Sequence, residues 1–326
     1  MVNQTSSPVE MEQAMIQLFP REDGTISIWD HPNFKSTVAL PDSYIPLTRT
    51  EQVLELINTS KLNKDMLTVL KVVGDAGAAN EDQLRRYMSS LQSSSATSKH
   101  LRHLAKYGLV QRHKCRLAFI EEDGKEVIRP PGPHTLGIGG YKLLSHLYPE
   151  SKFIAAESWL DNSMGIQRYV AMNEIRCLGI ESKNVRGWSW YPYVGGLSKY
   201  KKPFAVMKVN SPEGELQIIM ERAQMAQNFI GYFQSRLEEL RYLHNRDNTI
   251  KIDGFAHTDL QVVAISVSSV SMALFIHEQL RLNTFPFDVW FVIDEWFDES
   301  KGLETAFGKV EKDKVQRVRI SYLAKK

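Results

Sequence analysis

Three stretches between residues 63 and 108 place apolar residues at helical spacing. Asn63, Asn80 and the serines at 93–95 stand before them as N-caps. Gly74 and Gly77 end the first stretch, and Gly108 ends the third. The pattern therefore predicts three short consecutive helices. Their apolar positions are Met66, Leu67, Leu70 and Val73, then Leu84, Tyr87 and Met88, and then Leu101, Leu104 and Leu109.

The residues after the third stretch predict a β-hairpin. The runs VQRHKCRLAFI and EEDGKEVI favour strands, and the turn between them is centred on Asp123-Gly124, a strong hairpin signal. Three short helices followed by a hairpin is the plan of a winged helix-turn-helix. In that plan the third helix enters the major groove of DNA and the hairpin lies along the backbone.

The second half of the chain alternates strands with amphipathic helices. Residues 262–267 are apolar except for Ser266, and residues 289–293 are all apolar. Such runs are typical of a sheet covered on both faces. The tail KVQRVRISYL alternates as an edge strand does, and it is basic. The other predicted elements are helices over 165–178, 224–243 and 271–282 and strands over 203–209 and 216–221.

A stiff, proline-rich segment, RPPGPH at residues 129–134, separates the two halves. Near the start, residues 25–29 predict a short strand, and Thr48 and Glu51 have the spacing of a capping box that opens a short helix. The predicted fold class is therefore α+β / α/β. It comprises an N-terminal arm with a short helix over 1–60, a winged helix-turn-helix over 61–130, and an α/β domain over 131–326.

Positive charge is concentrated in one part of the chain. The formal net charge is only +2 over 326 residues, yet residues 93–116 contain six Lys or Arg, three His and no Asp or Glu. A cationic helix without counter-charges suits a polyanion, and we predict that the partner is double-stranded DNA. The candidate DNA-binding residues are Ser95, Thr97, Ser98, Lys99, Arg102, His103, Lys106, Arg112, His113, Lys114 and Arg116.

Composition bounds the compartment and the cofactors. Cys115 and Cys177 show neither metal-ligand spacing nor a disulfide framework. The first residues lack a basic segment followed by an apolar run, and no apolar run approaches the roughly 20 residues of a membrane span. We therefore predict a cytoplasmic protein with no membrane partner, no metal and no cofactor.

The segment LRRY…SATSKHLRHLAKYGLVQR resembles the winged-helix module of many bacterial regulators. The later succession of hairpin, long helix, strand, helix and strand resembles the core of restriction-endonuclease-like folds. Over most of residues 60–295, the combination resembles the replication-relaxation family of plasmid and mobile-element proteins. The resemblance implies sequence-specific double-stranded DNA binding in replication, transfer or transcriptional control, by a homodimer that also contacts a replication or relaxosome protein.

A nuclease of the restriction-endonuclease type needs an acidic residue on one hairpin strand and Glu-x-Lys on the next, to hold Mg²⁺ and activate water. Here Phe204 replaces the first acid and Ala223 replaces the Lys, although Glu221 is present. We therefore predict a nuclease-like but inactive domain in a chain that is not an enzyme. A metal-dependent DNA nuclease or nickase stays an alternative, with the carboxylates Glu213, Glu215 and Glu221.

Two further interpretations stay open. The chain is a protein–protein adaptor if its basic helix binds an acidic partner instead of DNA. The aromatic run VRGWSWYPYVGG suits either stacking on single-stranded bases or packing in a core or subunit contact, and we predict packing. Its large rings belong to Trp188, Trp190, Tyr191 and Tyr193.

Overall fold

Eight α-helices and two β-sheets form within the residues that the computed structural model describes, which are 17–118, 127–196, 199–225, 229–256, 258 and 260–326. The fold class is therefore mixed α and β, as predicted. No helix within these ranges is both long and apolar enough to cross a membrane.

Five helices form one cluster around a shared apolar core. The predicted caps are confirmed for the second and third of them: Asn63 Oδ1 accepts from the Met66 amide at 2.9 Å, and Asn80 forms a capping box with Gln83. Leu143 and Leu144, from the fifth helix, pack into the same core. The helices are α1 (Thr50–Asn58), α2 (Lys64–Ala76), α3 (Glu81–Met88), α4 (Ser94–Lys106) and α5 (Ile138–Leu147).

The smaller sheet is built around one long strand that follows α4. Strand β2 (Val110–Ala118) pairs antiparallel with β1 (Phe34–Ala39) along one edge. Its other edge pairs with β3 (Val127–Ile128) and β4 (His134–Leu136). The Asp123-Gly124 turn that we predicted between the hairpin strands lies outside the described residues.

The N-terminal region differs from its sequence prediction. Residues 25–29 do not form a strand: a short 3-10 helix covers Ile28–Asp30, and the first strand is β1 instead. Helix α1 begins at Thr50, with Arg49 rather than Thr48 at the N-cap. A strand such as β1 is specified by its distant partner β2 more than by its own residues, which explains the error.

The larger sheet has seven strands among the described residues, in the order β11-β10-β9-β8-β7-β6-β5. Neighbours pair in parallel from β7 to β9 and antiparallel elsewhere. The basic tail forms the edge strand β11, as predicted. The strands are β5 (Val185–Trp190), β6 (Ala205–Ser211), β7 (Gly214–Arg222), β8 (Gln261–Val267), β9 (Val289–Ile293), β10 (Phe307–Glu311) and β11 (Lys314–Val318).

Helices cover both faces of this sheet, which confirms the prediction from its apolar strands. Helix α6 (Ser163–Glu181) packs on the face that carries Ile218, and α7 (Phe229–Asp247) and α8 (Val270–Leu280) pack on the face that carries Ile219. Successive residues of β7 thus point to opposite faces, as the pleat of a strand requires.

The helical cluster is fixed to α6 by polar contacts. Arg86 of α3 forms ion pairs with Glu174 at 2.5 Å and Glu181 at 2.6 Å, and both carboxylates belong to α6. The Asn173 amide donates to the carbonyls of Ala76 and Ala78 at 2.8 and 2.9 Å. Strand β4 and helix α5 pack with the helical cluster, although we had assigned residues 131–147 to the α/β domain.

Candidate nucleic-acid interface

Helix α4 has one buried face and one cationic face. Leu101 and Leu104 are buried against the helical core. On the other side, Lys99 and Arg102 are exposed and Lys106 is half-buried, with its Nζ 5.7 Å from the centre of the Tyr107 ring. These three positions follow one another at intervals of three and four residues, so their side chains share one face of the helix.

Strand β2 continues the positive charge on one face of the smaller sheet. Arg112, Lys114 and Arg116 are exposed, whereas the residues that alternate with them are buried. Lys35 of β1 is also exposed, and it lies directly opposite Arg116 in the antiparallel register. This lysine belongs to a segment that we had interpreted as an irregular arm, so the sequence prediction missed it.

The helix and the strand meet at a cleft of about 770 Å³. Arg112 lines this cleft together with the three cations of α4. Two carboxylates also line it, and one of them, Glu81, is held by Arg85 at 2.5 Å. We call the combined set the basic surface; it consists of Lys35, Lys99, Arg102, Lys106, Arg112, Lys114 and Arg116.

The cations of the basic surface lack acidic partners. Among the described residues, none of the seven has a carboxylate oxygen within 4.0 Å. Elsewhere on the same chain, exposed lysines such as Lys301 do have one, in that case Asp298 at 3.4 Å. Unpaired like charges that share one face repel each other and attract a polyanion.

Two of the predicted contact residues are buried and do not belong to this surface. Thr97 is inaccessible, and its hydroxyl accepts from the Gln92 amide at 2.8 Å. The His113 ring lies on the inner face of β2, with its Nε2 3.0 Å from the Thr135 hydroxyl, and burial lowers the pKa of this histidine to about 4. We therefore omit both from the interface.

Three other predicted residues lie on or beside the cationic face. Ser95 is exposed at the start of α4. The Ser98 hydroxyl accepts from Arg85 Nη2 at 2.8 Å, and His103 Nε2 lies 2.9 Å from the Lys61 carbonyl. Their side chains are half-buried and already engaged, so Ser95 is the predicted hydroxyl residue that a ligand reaches most directly.

The carboxylates that the nuclease alternative would need do not converge. Glu221 is buried and accepts from Arg236 Nε at 2.7 Å, while Glu215 forms an ion pair with Lys208. Six residues of extended strand separate Glu215 from Glu221, a distance of roughly 20 Å. Within the described ranges, no group of three or more His, Cys, Asp or Glu side chains is arranged to hold a metal ion.

Comparisons with known proteins add little to this geometry. No protein-family model matches the chain, and no curated protein matches it. Among solved structures, the chain is similar to the restriction endonuclease FokI, with 11% sequence identity and a TM-score of 0.24. That comparison covers 69% of this chain and 40% of the FokI chain. A TM-score this low establishes no common fold, so we take no function from it.

Proposed function

We propose that this chain is a sequence-specific double-stranded DNA-binding protein whose binding unit is a winged helix-turn-helix. Helix α4 enters the major groove, where Ser95, Lys99 and Arg102 face the base edges. Lys106 and the cations of strands β1 and β2 contact phosphates on either side. The observation that carries the proposal is the basic surface, in which seven cations share no carboxylate partner among the described residues.

The order and pairing of elements support this assignment. Helices α2, α3 and α4 precede β2, as in a winged helix-turn-helix. Ala79, between α2 and α3, forms a β-bridge with His134 of β4. Together with the resemblance to the replication-relaxation family, this order favours a plasmid or mobile-element protein that acts in replication, transfer or transcriptional control.

The experiment compares two single substitutions on selected and on random duplex DNA. A site is first selected from a random library with the full chain. Arg102→Ala is expected to weaken the selected site by about ten- to hundredfold and to relax preference there, because a base contact is lost. Lys114→Ala is expected to weaken both duplexes by the same factor and to lower the salt slope of log K by about 0.9, because a phosphate contact is lost.

Lys314→Ala serves as the matched control. This lysine is exposed on the edge strand β11 of the larger sheet, outside the basic surface. Its loss is expected to leave affinity for both duplexes unchanged. If Arg102→Ala and Lys114→Ala bind DNA as the unaltered chain does, the proposal is wrong, and an acidic protein partner becomes the better interpretation of the same charges.

A further inference from the structure

A second candidate site lies in the α/β domain and shares no residue with the basic surface. A cavity of about 460 Å³ opens between α6, the end of β7 and the start of α7. Among the described residues, no carboxylate lines this cavity, but two arginines do, Arg168 and Arg222. A volume of this size is ordinary for a small-molecule site.

Several hydrogen-bond donors of the residues that line the cavity have no acceptor within the described ranges. Arg222 is only 2% exposed; its Nη1 donates to Asp294 at 2.8 Å, but its Nε and Nη2 meet no acceptor among the described residues. Trp159 Nε1 and Arg168 Nε are likewise buried without an acceptor. Leaving a buried donor unsatisfied is costly, and charged donors cost more than neutral ones. The side chain of Arg222 is itself inaccessible, so it adds positive charge behind the cavity wall, whereas the half-buried Arg168 is the cation that an anion can reach.

The charge around the cavity agrees with an anionic ligand. Arg168 has no carboxylate oxygen within 4.0 Å in the described part of the chain, and its guanidinium lies 5.4 Å from the Phe204 ring. The buried carboxylate nearby, Glu221, is already held by Arg236. Arg168 thus forms no direct ion pair among the described residues, although the charge of Glu221 acts on it at longer range, and such an arginine can hold a phosphate.

Aromatic rings supply the other half of the site. Tyr191 and Tyr232 line the cavity and are 37% and 40% exposed. The φ of Tyr191 is +47°, a left-handed conformation that is rare for a bulky residue and that is held here beside the cavity. Exposed rings beside an anion site suit a ligand with a planar aromatic part, because a base stacks on them.

A neighbouring groove of about 930 Å³ shares Tyr169 and Tyr191 with the cavity. Beyond Tyr191, the groove is lined by Tyr193, whose ring lies 4.7 Å from Lys152 Nζ and 3.8 Å from Lys202 Nζ. Three carboxylates, Asp75, Glu150 and Asp253, also line the groove, and Lys71 holds Asp75 at 2.9 Å. The part of the groove that suits a single-stranded nucleic acid is therefore the one formed by the Tyr193 ring and its two lysines. The groove therefore extends the cavity in the direction that a polynucleotide would take.

From this geometry we infer that the cavity binds a nucleoside phosphate, and that its source is the phosphorylated end of a single DNA strand that lies along the groove. The phosphate contacts Arg168, with the positive charge of Arg222 behind the cavity wall, and the terminal base stacks on Tyr191 or Tyr232. The inference does not depend on the duplex-binding proposal, because the two sites share no residue.

The test measures equilibrium binding of the full chain to dTMP and to short oligothymidylates with a 5′-phosphate, with a 3′-phosphate or with neither. We expect one phosphorylated oligothymidylate to bind at least about tenfold more tightly than the unphosphorylated one, since a charge-assisted contact is gained. Arg168→Gln should remove that difference. Tyr232→Ala, at a half-exposed position, should weaken every ligand that carries a base, by roughly five- to hundredfold.

Controls separate the two sources of the ligand and the two sites. Lys202→Ala should weaken the oligothymidylates and leave dTMP unchanged; if dTMP binds as tightly as the oligothymidylates and Lys202→Ala has no effect, the site stands and its ligand is a free nucleotide. Arg186→Gln, an exposed arginine on β5, should change nothing. Binding should persist in the double variant Arg102→Ala and Lys114→Ala, and its loss there would place it on the basic surface instead.

The inference is wrong if the unaltered chain binds neither dTMP nor any oligothymidylate at millimolar concentration. It is equally wrong if folded Arg168→Gln and Tyr232→Ala chains, checked by circular dichroism, bind these ligands as the unaltered chain does. Inorganic phosphate should compete with the phosphorylated oligothymidylate, and failure to compete would remove the anion site from the proposal.

Discussion

Lys35 of β1 lies directly opposite Arg116 of β2, and both side chains are exposed on the same face of the smaller sheet. Like charges directly opposite each other in an antiparallel pair destabilise it. The fold thus tolerates a repulsive pair, on the face where Lys114 and Arg112 add two more cations. Such a cluster of like charges is explained if a bound polyanion neutralises it.

Lys35→Glu is therefore expected to separate stability from function. The new carboxylate faces Arg116 and should raise the free energy of unfolding by roughly 0.2–1 kcal/mol. The same change should weaken duplex DNA and lower the salt slope of log K by at least about 0.9, because a phosphate contact is lost. Urea denaturation and binding titrations across a range of salt concentrations measure the two effects.

Lys314→Glu is the mirror-image control for this prediction. Lys314 lies opposite Glu311 in the antiparallel pair of β10 and β11, and both residues are exposed. Reversing its charge should lower stability by a similar amount and leave DNA binding unchanged. If Lys35→Glu lowers stability as well, repulsion between Lys35 and Arg116 is not significant in the folded chain.

The buried carboxyl of Asp30 should make stability depend on pH. It accepts from the Ser268 hydroxyl at 2.8 Å and from the Met225 amide at 3.2 Å, and burial raises its pKa from 3.8 to about 6, against the opposing effect of Arg222. The folded state therefore holds a proton that the unfolded state releases between pH 3.8 and 6. The contribution of Asp30 to stability is thus lost as pH rises through this interval.

Asp30→Asn should gain stability relative to the unaltered chain as pH rises from 4 to 7, by roughly 2–3 kcal/mol. The Ser268 hydroxyl can accept from the new amide, so the local contacts are kept. Urea denaturation at several pH values measures the difference. A constant difference between the Asp30→Asn and unaltered chains would contradict the raised pKa.

His113 should have the opposite pH dependence. Burial lowers its pKa from 6.5 to about 4, so the unfolded state takes up a proton first as the solution is acidified. The contribution of His113 is fully present above pH 6.5 and is lost as pH falls toward 4. His113→Gln is expected to gain stability relative to the unaltered chain over that interval, as thermal unfolding at each pH would measure.

The same variant separates the two faces of β2. His113→Gln should leave duplex affinity at pH 7 within about twofold, because the side chain lies on the inner face. Arg112→Ala, next along the strand but exposed, should weaken binding by roughly fivefold or more, if one charged contact is lost. Equal losses in the two variants would place His113 in the interface after all.

The sequence predicted those features that are set by neighbouring residues and missed those that depend on distant partners. The run Val289–Ile293 was predicted as a strand with the observed bounds, because continuous apolar residues show a buried strand directly. The caps at Asn63 and Asn80 were equally local. Lys35 and the donors around Arg222 were missed, because their roles depend on partners that lie far away in the chain.

The glycines after the proline-rich segment show the same limit. Gly137, Gly139 and Gly140 follow the segment with which we marked a domain boundary, but they permit close packing within one cluster. A Cβ at Gly140 would lie 2.0 Å from the Leu109 carbonyl oxygen. The Leu109 backbone is so close to Gly140 that no side chain fits there. The sequence alone does not show which part of the chain will pack against a given glycine.

Gly140→Ala should therefore destabilise the chain by roughly 1–3 kcal/mol or more, as overpacking against backbone does. Gly187→Ala is the matched control, because a Cβ there would meet its nearest neighbour at 3.4 Å, at the limit of ordinary contact. Urea denaturation of both variants measures the contrast. Similar stabilities for the two would show that α5 can move away from Leu109 at little cost.

The ion pair between Glu221 and Arg236 provides the last prediction. Arg236 is fully buried, and it donates to Glu221 at 2.7 Å and to Glu239 at 2.7 Å. Burial raises the pKa of Glu221, and the guanidinium of Arg236 opposes that shift. Arg236→Met leaves the carboxyl buried without its partner and should lower the free energy of unfolding by roughly 3–5 kcal/mol.

That loss of stability should grow as pH rises. Without Arg236, the buried Glu221 has to take up a proton when the chain folds, and this costs more at higher pH. In the double variant Glu221→Gln and Arg236→Met, the growth with pH should disappear and the total loss should be smaller than the sum of the single losses. Urea denaturation at pH 5 and pH 8 completes the cycle.

A structural role for Glu221 also predicts that the chain does not nick plasmid DNA in Mg²⁺ or Mn²⁺. Metal-dependent nicking that Glu221→Gln abolishes would instead make this carboxylate a metal ligand and the chain a nuclease.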